Sequence, residues 1–409
     1  MPPPRDAPSA IRPVRILHLS DPHFYGLSYN QQAADDFFEF LPEIEARPDL
    51  LVITGDFAFN GEATSFVAAA HFIQKVRDLL EIRDDKRVRV VPGNHDFRRP
   101  HFAFSPAFSL RAFREHLGKY YRENEMAHFP EFNLALWSLD SSAFSARERL
   151  FDLCATRWRK LLVDGKVGKR ALRNLRKHFQ GLRSAKSGAE LVEARRLLRT
   201  FKIALLHHHP LPIPVVGERE LGVLEDAGDL LRDLGECDFD MILHGHQHFP
   251  YLAQVKYFDY PRTRRRSSGD LLVTAAGTVT SKDVGHATCN HFSIITIDAR
   301  NPASIPVEFN SYTNSFGAFG LDPPSKNLVV PRPGRNTMPS SDTLDFFQSS
   351  IGYVRERFGL DVKVTAGGGV VVRCTTRVRA DLERLPAVQH SARPVVQLPT
   401  ARGRLLLRR

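Results

Sequence analysis

Short apolar runs recur along the chain: VRILHLS (14–20), LLVITG (50–55), VRVVPG (88–93), LALWSLD (134–140), KIALLHH (202–208), DMILHG (240–245) and LLVTAAG (271–277). They are rich in Val, Ile and Leu, and most close on Gly, Pro or a polar residue. Unbroken apolar runs of this length suit strands buried on both faces. Between some of them the spacing lengthens to three or four residues. Phe66, Ala70, Ile73, Val76 and Leu80 make one such stripe, and Ala227, Leu230, Leu231 and Leu234 another. That period predicts helices. Strand, helix, strand alternation argues for an α/β layered fold. From about 250 to 310 strand-like runs such as HFSIITID (291–298) dominate, which predicts a second sheet packed on the first.

The pattern weakens toward the C-terminus. Residues 321–342 are Pro- and Ser-rich with little periodicity, which predicts a linker. Beyond it, 344–358 reads as a helix, 361–374 as a hairpin turning at Gly367–Gly369, and the Arg-rich end as frayed. No internal repeat is visible. The expected layout is a catalytic domain over 14–310, the linker, and a small C-terminal extension over 343–409. A chain of 409 residues has room for that core and an appendage.

Composition changes the picture in two places. The four cysteines (Cys154, Cys237, Cys289 and Cys374) lie far apart, so reduced thiols in the cytoplasm are expected. The N-terminus has no apolar signal core, and no run approaches the roughly 20 residues of a membrane helix. The net charge of +11 is concentrated: 155–200 holds 14 Lys or Arg against three acids. Such a basic insertion suits nucleic acid or anionic lipid, and it could overhang a site as a lid. It also reads as a solvated helical face, because Leu172, Leu175, Phe179 and Leu182 recur at helical spacing.

Candidate chemistry sits at the strand ends. Asp21 and His23 follow the first run, Asp56 the second, and Asn94, His95 and Asp96 the third. His207, His208 and His209 close the fifth, and His244, His246 and His248 the sixth. In α/β sheets, ligands bind beyond these carboxyl ends. Carboxylate, amide and imidazole donors without thiolate suit a pair of Mn, Fe or Zn ions. In extended backbone, Asp-x-His places both side chains on one face, and His246 and His248 would likewise point into one site. Asp56 could give one oxygen to each of two ions. Gly93 would permit the tight bend before Asn94.

These blocks, in this order, resemble the calcineurin-like metallophosphoesterases over roughly 14–280. Their wording looks most like the class III cyclic-nucleotide phosphodiesterase branch. The resemblance implies a four-layer α/β/β/α sandwich and a dinuclear centre. Asp21, His23, Asp56 and His248 would hold one ion; Asp56, Asn94, His207 and His246 would hold the other. His208 is the alternative to His207. Asp96 would orient a neighbour, and His244 would pack inside its strand. The implied activity is hydrolysis of a phosphodiester, nucleotide-type or other, by a metal-bridging hydroxide, with His95 over the leaving oxygen. His95 could instead be structural. Arg98 and Arg99 could grip a substrate phosphate or simply face solvent. A nuclease, a phospholipid-directed enzyme and a non-catalytic scaffold are the competing functions.

Overall fold

The computed structural model describes residues 11–97, 110–142, 165–212, 223–256, 270–285, 287–315 and 317–331, with four short strands between 361 and 408. The chain divides into two compact units, Met1–Arg335 and Asn336–Arg409.

The larger unit holds two six-stranded sheets. In the first, β1 (Val14–Leu19), β2 (Leu50–Thr54) and β3 (Val88–Val91) run parallel. On the other side of β1, β10 (His291–Ile297), β11 (Ser304–Ser315) and β12 (Ala318–Pro331) follow in antiparallel register. In the second sheet, β5 (Leu134–Ser138), β6 (Phe201–Leu205), β7 (Met241–His244) and β9 (Asp270–Ala276) are parallel. Its edges are the antiparallel strands β4 (Met126–Phe129) and β8 (Pro250–Lys256).

Side-chain alternation makes the layers. Ile16, Leu50 and Val52 point inward, where they meet Leu136, Ile203, Leu205 and Leu243 of the second sheet in one buried core. Their neighbours Leu17, Leu51 and Ile53 point outward, under α1 (Gln31–Phe40), α2 (Ala63–Leu80) and α3 (Arg111–Leu117). On the far side, Ala204, Leu206 and Ile242 pack against α4 (Lys169–Ser184) and α6 (Ala227–Glu236), while α5 (Gly188–Arg199) follows α4. The result is the expected α/β/β/α sandwich. Period-two alternation in strands that are apolar on both faces requires a cover on each side. Local signals fix the helix ends: Asn30 caps α1 by accepting from the Ala33 amide at 3.2 Å, and Glu81 closes α2 in a left-handed conformation.

Several expectations change. Residues 321–331 are not linker but most of β12, and 310 falls inside β11. Lys326, Leu328 and Val330 pair with Phe309, Val307 and Ile305 across a long hairpin, where partner strand and core supply what local propensity lacks. An edge strand tolerates prolines because one row of its amides needs no ladder partner. The described part of the basic insertion, 165–200, is the outer helical layer, held by Leu172, Leu175 and Phe179, and not a lid. Several of its cations have structural partners: Arg176 donates twice to buried Asp233, at 2.7 and 2.9 Å, and Arg183 donates to the Glu236 carbonyl.

The smaller unit contains one antiparallel sheet of β13 (Asp361–Val364), β14 (Val370–Arg373), β15 (Val395–Gln397) and β16 (Arg404–Arg408). The first two pair as the anticipated hairpin. The Arg-rich end, expected to fray, supplies β16, paired with both β14 and β15. The predicted helix over 344–358 lies outside the described residues.

Candidate metal centre

The parallel strands of both sheets deliver their polar blocks to one place. After β1 the chain enters left-handed backbone at Asp21 (φ 50°) and His23 (φ 48°), after β2 at Asp56 (φ 54°), and after β7 at His246 (φ 80°) and His248 (φ 54°). Such conformations cost of order 1 kcal/mol for a non-glycine residue, least for Asp, Asn and His. Bonds between the loops hold them. The amides of Asp21 and His23 donate to the carbonyls of Gly55 and Asp56 at 3.1 and 3.0 Å. Thr278 and Thr280, just past β9, donate their hydroxyls to the carbonyls of Asp21 and Pro22 at 2.6 and 2.7 Å. The His246 amide reaches Asp21 Oδ2 at 3.0 Å.

Convergence therefore does not come from the extended geometry anticipated for Asp-x-His. It comes from single-residue left-handed turns braced by neighbouring loops. The consequence for the sixth block is concrete. The alternation reading that put His246 and His248 in one site does not hold: His248 joins Asp21 and His23, while His246 joins Asp56 and His207, the division that the family resemblance implied. In each trio the candidate donor atoms lie within 4.8 Å of one another.

The two trios meet at Asp56. Its Oδ2 is 3.2 Å from His207 Nε2 and 3.9 Å from His23 Nε2. Its Oδ1 accepts the His95 amide at 2.9 Å. Around the second trio, Asn94 Oδ1 and His246 Nδ1 lie 3.1 and 3.2 Å from His207 Nε2. Around the first, His23 Nε2 and His248 Nε2 face each other at 3.0 Å, and Asp21 Oδ1 is 3.5 Å from His248 Nε2. Outer partners set the imidazole tautomers. His207 Nδ1 donates to the Thr54 carbonyl at 2.7 Å, and His248 Nδ1 donates to the Asp283 carbonyl. Both Nε2 atoms therefore face inward, toward the carboxylates, where a proton or a metal ion can sit.

Lone pairs and carboxylate oxygens, packed face to face and buried, need a cation between them. Protons on the histidines answer the same need. Burial pulls His207 down, but Asp56 and Asp21 outweigh it and lift its pKa to about 9. Burial likewise opposes the charge of Asp56, yet His207 and His95 hold its pKa well below the usual range. Burial keeps His23 at about 4 and His246 well below its ordinary value, so both present neutral nitrogens. The residues fit two divalent ions in donor type, burial and number.

The choice between His207 and His208 is visible in the geometry. His207 Nε2 lies among Asp56, Asn94 and His246, whereas His208 Nδ1 is turned to the Ser141 hydroxyl at 2.9 Å. Asp96 is fully buried, and its two oxygens accept the amides of Ala58 and Gly93, both at 2.8 Å. It ties the β2 loop to the β3 loop. Burial, then the charge of Asp56, pushes its pKa up to about 8. His95 stands outside both trios. Its ring is 5.2 Å from that of His23, and its Nδ1 donates to the Phe59 carbonyl at 2.8 Å. His244, as expected, is internal and bonds to the Tyr251 hydroxyl at 2.7 Å. Arg98 and Arg99 lie outside the described residues.

Gly93 plays a different part from the one its sequence suggested. Its backbone is extended (φ −103°), open to any residue. A Cβ there would meet Asp56 Oδ1 at 2.0 Å and the Asp56 amide at 2.5 Å. The glycine makes room for the shared carboxylate. Four further contributors, Thr54, Thr278, Thr280 and Asp283, were not singled out from the sequence. The seventh apolar run ends in GTVTSKD, so the strand-end rule applied to the other runs would have found three of them.

The family model for calcineurin-like phosphoesterases matches residues 14–250. No curated protein matches the chain. Among solved structures, a purple acid phosphatase from yellow lupin (Lupinus luteus) seeds is 12% identical, with a TM-score of 0.45, covering 81% of this chain and 57% of that one. The chain thus spans little more than half the lupin protein's length. A calcineurin-like phosphoesterase of Bacillus subtilis is 12% identical at a TM-score of 0.31, covering 84% of this chain and 98% of that one. Vacuolar Protein Sorting 29 of Cryptosporidium parvum is 13% identical at a TM-score of 0.33, covering 77% and 98%. Likenesses this distant say nothing of activity.

Proposed function

The chain belongs to the calcineurin-like phosphoesterase family and is a phosphoester hydrolase with metal-binding groups, and we propose that it is a dinuclear phosphodiesterase acting on nucleotide-type or related phosphodiesters. The observation that carries this reading is the shared carboxylate of Asp56, set between two buried trios. In it, Asp21, His23, Asp56 and His248 hold one ion, and Asp56, Asn94, His207 and His246 the other. The ions are Mn, Fe or Zn, as the mixed oxygen and nitrogen donors favour. When bound, two such ions neutralise phosphate oxygens and bring the pKa of water toward neutrality.

The chain's own residues do the rest. Thr54 and Asp283 hold the Nδ1–H protons of His207 and His248, which orients their Nε2 atoms toward the metal-binding groups. Asp96 holds the Asn94 loop against the Asp56 loop. His95 carries a proton at Nε2 to the departing oxygen, while its Nδ1–H bond to the Phe59 carbonyl steadies the imidazolium. The wording of the five blocks supports a place near the class III cyclic-nucleotide phosphodiesterase branch. The free thiols of Cys237 and Cys289 support a cytoplasmic location, and among the described residues no helix is long and apolar enough to cross a membrane.

A second reading, a nuclease or phospholipid-directed enzyme, draws on Lys169, Arg170, Arg173 and Lys177, which are exposed on α4. Steeply salt-dependent oligonucleotide or vesicle binding would favour it. The scaffold reading is disfavoured because every expected donor position is filled.

The test is hydrolysis of a panel, each substrate with Mn²⁺ and with chelator: a generic diester, a monoester, cyclic nucleotides, oligonucleotides and a phospholipid. Diester cleavage should require metal and vanish in Asp56→Ala. Cleavage of monoesters alone would remove the diesterase assignment, and activity surviving Asp56→Ala would remove the shared-carboxylate centre.

A further inference from the structure

Large apolar side chains are exposed at scattered points on this surface, but Phe59 stands beside His95 and against Gly26, which Tyr25 and Leu27 bracket in the chain. Phe59 is 40% exposed, Tyr25 70% and Leu27 92%. Scattered exposed apolar residues need no explanation, whereas one against the site, with two more on the adjoining loop, invites one. The patch is built from the two loops that carry His23 and Asp56. Phe24 bridges Ala58, and the Phe24 amide donates to the Phe57 carbonyl at 2.8 Å. Gly26 lies so close to Phe59 that a Cβ on it would meet Phe59 Cβ at 2.7 Å. The Phe59 ring stands 5.7 Å from the His95 ring, tilted by 36°.

Backbone strain marks the same place. Tyr25 has φ 56°, a conformation rare and unfavourable for a bulky aromatic residue. It persists because its neighbours are tied down: Ser65 donates its hydroxyl to the Phe24 carbonyl at 2.8 Å. The fold therefore holds an aromatic ring in water, in a strained conformation, two residues from a candidate metal ligand.

We infer that Phe59, flanked by Tyr25 and Leu27, is a specificity shelf for the leaving group of the phosphoester, and that it selects a planar aromatic one, such as an aryl or base-bearing group. This rests on the reading that His95 faces the leaving oxygen, since Phe59 holds His95 through its carbonyl and lies against its ring. A group departing past His95 would pass over Phe59. Aromatic faces reward planar partners by offset or edge contact beyond simple area burial. The shelf residues need no charge, so the phosphate is left to the metal-binding groups.

The experiment compares two diesters matched in leaving-group pKa, one aryl and one fluoroalkyl, with Mn²⁺-loaded full-length protein. The wild type should favour the aryl ester in kcat/KM, mainly through KM. Phe59→Ala should lower that aryl-to-alkyl ratio about tenfold, and Phe59→Trp should keep it, consistent with the usual size of aromatic contacts. A truncation that merely loosened the fold would slow both esters alike and leave the ratio unmoved. An unchanged ratio in Phe59→Ala, or no aryl preference in the wild type, overturns the shelf while the hydrolase stands. Cleavage of neither ester under any metal overturns the phosphodiesterase reading together with the shelf. Should Phe59→Ala not fold, Tyr25→Ala carries the same ratio test, expected to fall at least twofold, and no change there overturns the proposal.

Discussion

Replacing Gly93 by alanine separates two ways a glycine can matter. The backbone at this position is extended, so alanine meets no conformational penalty. Reduced freedom of the unfolded chain would even favour alanine by about 0.4–1 kcal/mol. Space decides the outcome instead. The new methyl would stand 2.0 Å from Asp56 Oδ1, 2.5 Å from its amide nitrogen and 2.7 Å from its Cγ. Ordinary contacts begin near about 3.5 Å, so the carboxylate must retreat by more than about 1 Å. The amide, fixed in the β2 loop, has nowhere to go. Overpacking of this kind costs about 1–3 kcal/mol. A 1 Å displacement of a group that positions the reaction costs about 10²-fold in rate. Gly93→Ala should therefore lose about 2 kcal/mol in urea unfolding and about a hundredfold in kcat on a generic diester with Mn²⁺. Gly181 is the control. It lies inside α4 with nothing within 4 Å of a built Cβ. Gly181→Ala should gain up to about 1 kcal/mol, the helix-propensity difference, with kcat unmoved. If Gly93→Ala keeps its urea midpoint and its kcat within threefold of wild type, the close-approach argument is wrong.

Calorimetric titration of chelator-stripped protein with Mn²⁺ should give two equivalents for the wild type and for His208→Asn, but one fewer tight equivalent for His207→Ala; the reverse pattern would move the ligand to His208. Among the described residues, Arg176→Ala leaves the buried Asp233 carboxylate with Arg232 Nε at 3.5 Å as its remaining cation. Loss of one partner of a buried pair costs about 3 kcal/mol, whereas exposed Arg173→Ala should stay within about 0.5 kcal/mol, and equal urea midpoints for the two would contradict the packing role of α4. Burial holds His18 at about 3 and His209 and His291 at about 4, below the ordinary imidazole value. The unfolded chain then takes up protons first as pH falls, so stability is full above about pH 6.5 and is lost between there and about pH 3–4. His18 alone accounts for up to about 2 kcal/mol at pH 5, so His18→Gln should flatten urea stability against pH over this window; an unchanged slope would show that its burial does not set its protonation.

Much of this protein was legible in its sequence, because the signals were local and repeated. Unbroken apolar runs located β1, β2, β3, β5, β6, β7, β9 and β10, and helical stripes located α2, α4 and α6. Both faces of those strands are covered, so composition alone marked them. The strand-end rule marked the polar blocks at 21–23, 56, 94–96, 207–209 and 244–248, and the family resemblance picked Asp21, His23, Asp56, Asn94, His207, His246 and His248 among them. Tertiary structure decided what depends on partners distant in the chain. β12 is a strand only because β11 pairs with it across prolines that local propensity reads as linker. The placement of His246 and His248 in separate trios, implied by the family resemblance but not by any period-two pattern, follows from left-handed turns at each. His207 rather than His208 faces Asp56 and Asn94, its ring fixed by the Thr54 carbonyl, 153 residues away. Gly93 is a glycine because another strand brings Asp56 against it. Sequence determined which chemistry is present and on which strand ends. Only the meeting of two sheets decided which atoms face each other, because that depends on contacts between loops far apart in the chain.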